Sequence, residues 1–348
     1  MSESRCAVTL RIGVSAPSVK TTLPPEAPKA HPFIKWAGGK GQLVATIKEL
    51  LPKKIRGYYE PFLGGGAMFF ALAAEKRFEH AVINDWNKEL VDTYRVVRDF
   101  PDELIAHLRA RETSYEQSPK CMYEAWRNPD PVMAETMSGP IQRAGRFIFL
   151  NKAGFNGLYR VNRKGVFNVP WGKKPKVKTF DEANISACAA ALNGSISIRH
   201  GNYFNAIEDA REGDVVYFDP PYVPLNATSD FTSYTSDKFG MNDQGRLAVL
   251  FKQLADRGVA VILSNSDTPV VRALYAGWER VEVQVKRAIN SKGTGRGAVG
   301  ELLIVGRRDP RTEHPAEGDM FATSALTAEF DAINERIEKE SRTTLEGA

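Results

Sequence analysis

The sequence predicts an α/β protein, a doubly wound and mainly parallel sheet of seven strands interrupted by a helical and β-hairpin module. Three observations carry this expectation. Seven short β-type runs, 58–62, 81–84, 195–199, 215–218, 259–264, 281–286 and 301–305, are separated by stretches with helical periodicity, the alternation that builds parallel sheets covered by helices on both faces. Several of these runs end in glycine, proline or a carboxylate, at the strand ends where open α/β sheets bind their ligands. The alternation then stops between Pro101 and Asn193, where several helical stretches precede a basic segment with a turn at Asn162-Arg163-Lys164-Gly165. That stretch is read as the insertion.

Taken in order, residues 1–30 mix Ser, Thr, Pro and Lys, and Pro24, Pro25 and Pro28 would interrupt any helix, so a flexible leader is expected, with the fold starting near Phe33. Between the later strands, Leu247, Leu250, Phe251 and Leu254 recur at helical spacing and give one apolar face before Gly258 ends the helix. Arg307-Arg308-Asp309-Pro310 closes the last strand-like run. A polar stretch follows, then an amphipathic helix around 326–341, read as an appendage.

Composition narrows the functional classes. The chain has 348 residues, 43% of them hydrophobic, enough for a substantial core, yet no apolar run approaches the roughly 18 residues of a membrane span. Arg11 cuts the mild apolar stretch near the start, so no signal peptide is expected and the cytoplasm is the expected compartment. Cys6, Cys121 and Cys188 make neither an even disulfide framework nor a metal-ligand spacing. Net charge is a modest +5, but Lys152, Arg160, Arg163, Lys164, Lys173, Lys174, Lys176 and Lys178 fall between Asn151 and Lys178 with no Asp or Glu among them. This basic excess is local, and Phe155, Tyr159, Phe167 and Trp171 are interleaved with it. Such a segment can meet phosphates and wedge or stack against bases. A second cationic, glycine-rich loop runs from Lys286 to Arg296.

Three motifs carry chemistry. Tyr59-Glu60-Pro61-Phe62-Leu63-Gly64-Gly65-Gly66 runs from a strand through glycines into a helix, and glycine lets backbone approach a ligand closely. Phe69 stands where a dinucleotide fingerprint needs its third glycine, which disfavours a nicotinamide oxidoreductase. Asp85, at the tip of the next strand, can accept hydrogen bonds from both ribose hydroxyls of an adenosine cofactor, or it can simply cap the following helix. Phe33-Ile34-Lys35-Trp36-Ala37-Gly38-Gly39-Lys40 superficially suggests a phosphate loop, but Ile34 and Gly41 occupy the places of its glycine and its Ser/Thr. Asp214-Val215-Val216-Tyr217-Phe218-Asp219-Pro220-Pro221-Tyr222 is an apolar strand ending in Asp-Pro-Pro-Tyr. There Asp219 and the Pro220 carbonyl can each accept a proton from an exocyclic amine while Tyr222 stacks on the base; prolines supply carbonyl acceptors without amide donors.

These motifs, in this order and with the basic module between the second and the third, resemble the Dam-type (D12 class, alpha-group) family of S-adenosylmethionine-dependent DNA N6-adenine methyltransferases. The resemblance runs from about Phe33 to Val305. It implies a Rossmann-like methyltransferase sheet, S-adenosyl-L-methionine as cofactor, double-stranded DNA as partner, no metal and no obligate protein partner. It implies cofactor contacts from Trp36, Lys40, Phe62, Gly64, Asp85, Tyr203 and Asp219, and a catalytic set of Asp219, Pro220, Pro221 and Tyr222. The segment Asn151-Lys-Ala-Gly-Phe-Asn-Gly-Leu-Tyr-Arg160, continued through Phe167-Asn-Val-Pro-Trp-Gly172, resembles the family's DNA-reading hairpin. Phe155, Asn156, Leu158, Arg160, Pro170 and Lys173 would then meet DNA. Arg160 would read a guanine, as an arginine fork suits guanine O6 and N7, Phe155 and Leu158 would wedge near a flipped adenine, and Lys173 would hold a phosphate. The implied target is 5′-GATC-3′. One position departs from the family pattern, since Asn202 rather than an acid precedes Tyr203. On this reading residues 31–100 are the cofactor-binding part of the catalytic domain, 101–193 the target-recognition module, 194–308 the catalytic part and 309–348 a tail. The residues alone also admit an N4-cytosine methyltransferase, because Asp219 and Pro220 recognise an amine before a ring, or an idle DNA-binding protein with the same fold.

Overall fold

The computed structural model describes residues 28–223, 239–286 and 298–307. The expected leader up to residue 27, the loop at 287–297 and the expected tail helix lie outside these residues. Seven strands, β1 (Ile55–Glu60), β2 (Phe78–Asp85), β3 (Ile196–His200), β4 (Val215–Phe218), β5 (Ala260–Ser266), β6 (Glu279–Lys286) and β7 (Ala298–Gly306), form one sheet in the order β3-β2-β1-β4-β5-β7-β6. The first five pair in parallel, and β7 runs antiparallel between β5 and β6. This is the Rossmann-like, mainly parallel seven-stranded sheet that the sequence predicts.

The helices are α1 (Val44–Leu50), α2 (Ala67–Ala74), α3 (Lys88–Asp99), α4 (Pro101–Gln117), α5 (Pro119–Arg127), α6 (Pro131–Thr136), α7 (Pro140–Ala153), α8 (Glu182–Leu192), α9 (Tyr203–Ala206), α10 (Met241–Asp256) and α11 (Pro269–Leu274). Side chains alternate across a strand, so Tyr58 of β1 enters one core and its neighbour Tyr59 the other. The first core gathers buried side chains of α1 to α5, α7 and α8; the second gathers α9, α10 and α11. Within the first, Phe149 of α7 packs its ring 4.8 Å from Trp126 of α5 and 5.3 Å from Tyr115 of α4. One continuous apolar cluster therefore runs from the sheet into the helices between Pro101 and Asn193.

The ends of several elements differ from the sequence expectation, each for a local reason. The first strand spans Ile55–Glu60 rather than 58–62, because Pro61 has no amide for the ladder and Ile55 to Glu60 pair in register with Phe78 to Ile83. Glu79 and His80 interrupt the apolar pattern behind Phe78, which hid the first three residues of β2 from a reading based on apolar runs. The fold also begins ahead of Phe33: Ala30 packs on the core, and His31 donates its amide to Asn184 Oδ1 at 3.0 Å while accepting from Asn184 Nδ2 at 3.0 Å.

Candidate active site and nucleic-acid interface

The carboxyl ends of β2, β1 and β4 lie side by side and bring Asp85, the glycine turn and Asp219 to one edge of the sheet. After β1 the chain enters α2 through Gly64 and Gly66, at φ 49° and 69°. That is the left-handed region which glycine tolerates at little cost. Gly64 is also where backbone and ring meet, since a Cβ there would lie 2.7 Å from Trp36 Cδ1. Asp85 ties the turn to β2: Oδ2 accepts the Gly64 amide at 2.9 Å and Oδ1 accepts the Asn87 amide at 2.8 Å. Burial raises the Asp85 pKa, and those amides oppose the rise. The cap of α3 is Asn87, whose Oδ1 accepts the Leu90 amide at 3.0 Å, so the helix-cap reading of Asp85 passes to its neighbour. On the other side of the turn, the Phe62 ring lies 5.1 Å from Tyr203, 5.8 Å from Phe239 and 6.3 Å from Phe218. Asn202, at the departing position, caps α9 by accepting the Phe204 amide.

Asp219 leaves β4 into a cage of donors. Lys40 Nζ lies 2.8 Å from Asp219 Oδ1 and Ser264 Oγ donates to the same oxygen at 3.0 Å. Among the described residues Oδ2 has no protein partner. Burial raises the Asp219 pKa, while the Lys40 charge, its hydrogen bond and the Ser264 hydroxyl pull it back. Lys40 is itself buried; it donates to the Gly38 carbonyl at 2.6 Å and stands 4.5 Å from the centre of the Tyr222 ring. Tyr222 donates its hydroxyl to Glu301 Oε2 on β7 at 2.9 Å. Pro220 is buried and Pro221 half-buried. Lys40, expected at the cofactor, thus stands at the Asp-Pro-Pro-Tyr turn, 179 residues further along the chain. A second carboxyl lies in this core: Glu60 is buried, accepts the Tyr58 hydroxyl at 2.8 Å, and is pushed up to about 8 by burial.

The basic segment folds as a narrow hairpin docked on α3, α4, α5 and α7. Val161 pairs with Phe167 and Gly154 with Trp171 as isolated bridges. Asn162 Oδ1 closes the tip by accepting the Lys164 and Val166 amides at 2.9 and 3.1 Å. Phe155, Asn156, Arg160, Pro170 and Lys173 are exposed and Leu158 is half-buried. Arg160 Nε donates to Asn168 Oδ1 at 2.7 Å and Nη2 to the Asn168 carbonyl at 3.2 Å.

The interleaved aromatics correct the sequence expectation, since only Phe155 is free to meet a base. Tyr159 and Phe167 are buried. Tyr159 donates to Glu89 of α3 at 2.7 Å and its ring stacks on Trp36 at 5.4 Å, while the Trp171 indole donates to the Tyr115 hydroxyl at 2.8 Å. These rings anchor the hairpin from behind. Its charge remains uncompensated: of the eight cations, only Lys176 and Lys178 lie within 4.0 Å of a described carboxylate. Burial lowers the pKa of Lys152 and Lys174, and both are pushed further down by the charge of Lys35. Clustered cations without partner acids suit a polyanion.

Sequence reading missed the groups that support these side chains. Asn151 is buried; it accepts the Lys35 amide at 2.9 Å and donates to the Lys35 and Gly157 carbonyls at 2.8 and 3.0 Å, stitching the Trp36 segment to the hairpin. Ser264, Gln244 and Glu301 were likewise unassigned. A visible signal existed for Ser264, since Ser264-Asn265-Ser266 is a polar run closing an apolar strand.

The sequence from 36 to 289 matches the family model of D12 class N6 adenine-specific DNA methyltransferases. The chain belongs to this family. Its curated relatives include Type II methyltransferase M1.LlaDCHI of Lactococcus lactis subsp. cremoris, 42% identical over 79% of this chain and 94% of that protein. Type II methyltransferase M.MjaIII of Methanocaldococcus jannaschii is 41% identical over 80% of this chain and 99% of its own length. A DNA adenine methylase of Escherichia coli is 35% identical over 80% of this chain and 95% of its own length. The protein is accordingly an adenine-specific DNA methyltransferase with DNA as substrate. Among the described residues, no helix is long and apolar enough to cross a membrane.

Proposed function

We propose that this D12 class enzyme transfers a methyl group from S-adenosylmethionine to N6 of an adenine flipped out of double-stranded GATC. The observation that carries the reading is the meeting of the Asp219–Tyr222 turn, the glycine turn and Asp85 at the ends of three neighbouring strands. The residues present fit the cofactor. Asp85 spends one acceptor site of each oxygen on an amide and keeps others for ribose hydroxyls. The Phe62 and Tyr203 rings offer an aromatic wall, and Gly64, which carries no side chain of its own, packs its backbone against the Trp36 ring. When bound, S-adenosylmethionine supplies an electrophilic methyl group on sulfur.

The chain's own residues do the rest. Asp219 Oδ2 and the Pro220 carbonyl accept hydrogen bonds from the two N–H groups of the target amine, which raises lone-pair density on nitrogen, and Tyr222 stacks on the base. As nitrogen gains the methyl group, whose bond to sulfur breaks, it gives up one proton to Asp219 or to water. An amine inside a duplex cannot reach this turn, so the adenine leaves the helix, and stacking offsets a few kcal/mol of unpairing. Arg160 reads the guanine of GATC, Phe155 and Leu158 fill the space near the flipped base with Asn156 and Pro170 beside them, and Lys173 holds a phosphate. Direct transfer to an amine needs no covalent nucleophile, and no metal enters this reading. Chromatography of hydrolysed DNA from cells expressing the protein, with modified-base sequencing, tests base and context together. N6-methyladenine confined to GATC is the expected result; N4-methylcytosine or another context would overturn the corresponding part.

A further inference from the structure

Beneath the Asp219–Tyr222 turn lies a chain of buried polar groups with no part in the chemistry described so far. Gln244, in the first turns of α10, donates Nε2 to the Pro221 carbonyl at 2.7 Å, and its Oε1 accepts Asn265 Nδ2 at 3.1 Å. Asn265 Oδ1 accepts the amides of Val223 at 3.2 Å and Ser266 at 2.8 Å, and Ser266 Oγ donates to the Val223 carbonyl at 2.7 Å. Gln244, Asn265 and Ser266 are 2%, 0% and 0% exposed.

The network has only one orientation. Two amide donors face Asn265 Oδ1, so its Nδ2 must turn to Gln244, whose carbonyl end must then face Asn265 and whose amino end must face Pro221. Two consecutive prolines cannot be tied down through their amides. The Pro220-Pro221 backbone can be held only through its carbonyls, and the clamp grips the Pro221 carbonyl and the backbone of Val223 just beyond the turn. The Pro220 carbonyl is left over, with no donor among the described residues.

We propose that Gln244 is a positioning residue for methyl transfer, fixing the Pro221 carbonyl so that the Pro220 carbonyl and Asp219 face the target amine. This rests on the reading above, in which those two groups accept the amine. The test compares single-turnover methylation, KM, melting temperature and the fluorescence of 2-aminopurine at the target position for native protein, Gln244→Met and Gln244→Glu. Gln244→Met keeps the volume and removes both the donor to Pro221 and the acceptor for Asn265. It should lower the melting temperature, because buried polar groups lose their partners, and in the folded protein it should slow methylation by about tenfold or more, the scale of a lost preorganised contact, with both KM values and the fluorescence signal near native. In Gln244→Glu a neutral carboxylic acid can still donate to Pro221 and accept from Asn265. Its rate should approach native at low pH and fall as pH rises through that carboxyl's pKa, a limb the native profile lacks. A native rate in Gln244→Met, the missing limb in Gln244→Glu, or KM values that worsen in step with the rate would overturn the proposal. A native-like rate in Asp219→Asn would remove the underlying reading instead, whatever the Gln244 variants do.

Discussion

Asp219 sits between two opposed forces. Burial favours its neutral form, while Lys40 and Ser264 on one oxygen favour the carboxylate, which on the proposed reading accepts the amine's hydrogen bond more strongly than the neutral acid would. Asp219→Ala should therefore reduce methylation on the order of 10²-fold or more while sparing DNA and cofactor affinity, as preorganised polar contacts do; turnover assays with binding titrations check both. Because its pKa is raised, the native rate should begin to fall on acidification at a higher pH than an ordinary aspartate would give. Asp85→Ala should weaken S-adenosylmethionine by about 1.5–3 kcal/mol if its charged hydrogen bonds to ribose are lost, as calorimetric titration can measure. Glu60 makes a prediction of opposite kind. Its folded pKa, about 8, exceeds the ordinary 4.5, so the fold binds a proton that the unfolded chain releases. That contribution is complete below the unfolded value and is lost as pH rises through about 8. Glu60→Gln, neutral at every pH, should lose less melting temperature than native protein between those limits; parallel curves would show that Glu60 is not buried as a neutral acid.

Among the elements, the hairpin separates readable from unreadable information most clearly. Its turn was legible because Asn162 and Gly165 act locally, and its charge was legible because sign needs no fold. The facing of its rings was not. Two isolated bridges, rather than a continuous ladder, fix which way Tyr159, Phe167 and Trp171 point, and that depends on α3 and α4 from elsewhere in the chain. The catalytic edge follows the same division. The glycine turn and the Asp-Pro-Pro-Tyr turn could be read as local strings, whereas Ser264 and Glu301 reach them only through strand order and register, and Gln244 only through the packing of α10 on the sheet. With Arg160 already braced by Asn168, Arg160→Ala should cost roughly 1–3 kcal/mol at one base pair and relax discrimination there, whereas Lys173→Ala should weaken all duplexes alike and lower the salt slope by about one unit. Competition among duplexes altered at single positions separates these outcomes. Uniform weakening by Arg160→Ala would make that residue a phosphate clamp.

At the scale of the whole molecule, the same apolar cluster holds the sheet, α3 and the helices between Pro101 and Asn193. The described protein should therefore unfold in a single calorimetric transition. Phe149→Ala, on α7, should destabilise that one transition by about 3–5 kcal/mol; a separate, earlier peak belonging to the helices between Pro101 and Asn193 would contradict this. A shared interior also bears on how sequence preference can change. Transplanting residues 101–193 from a relative would import half of an interlocking surface and strand the other half. If the hairpin reads the target as proposed, preference would then change at its exposed positions, one side chain at a time, while Tyr159, Phe167 and Trp171 hold the rest in place.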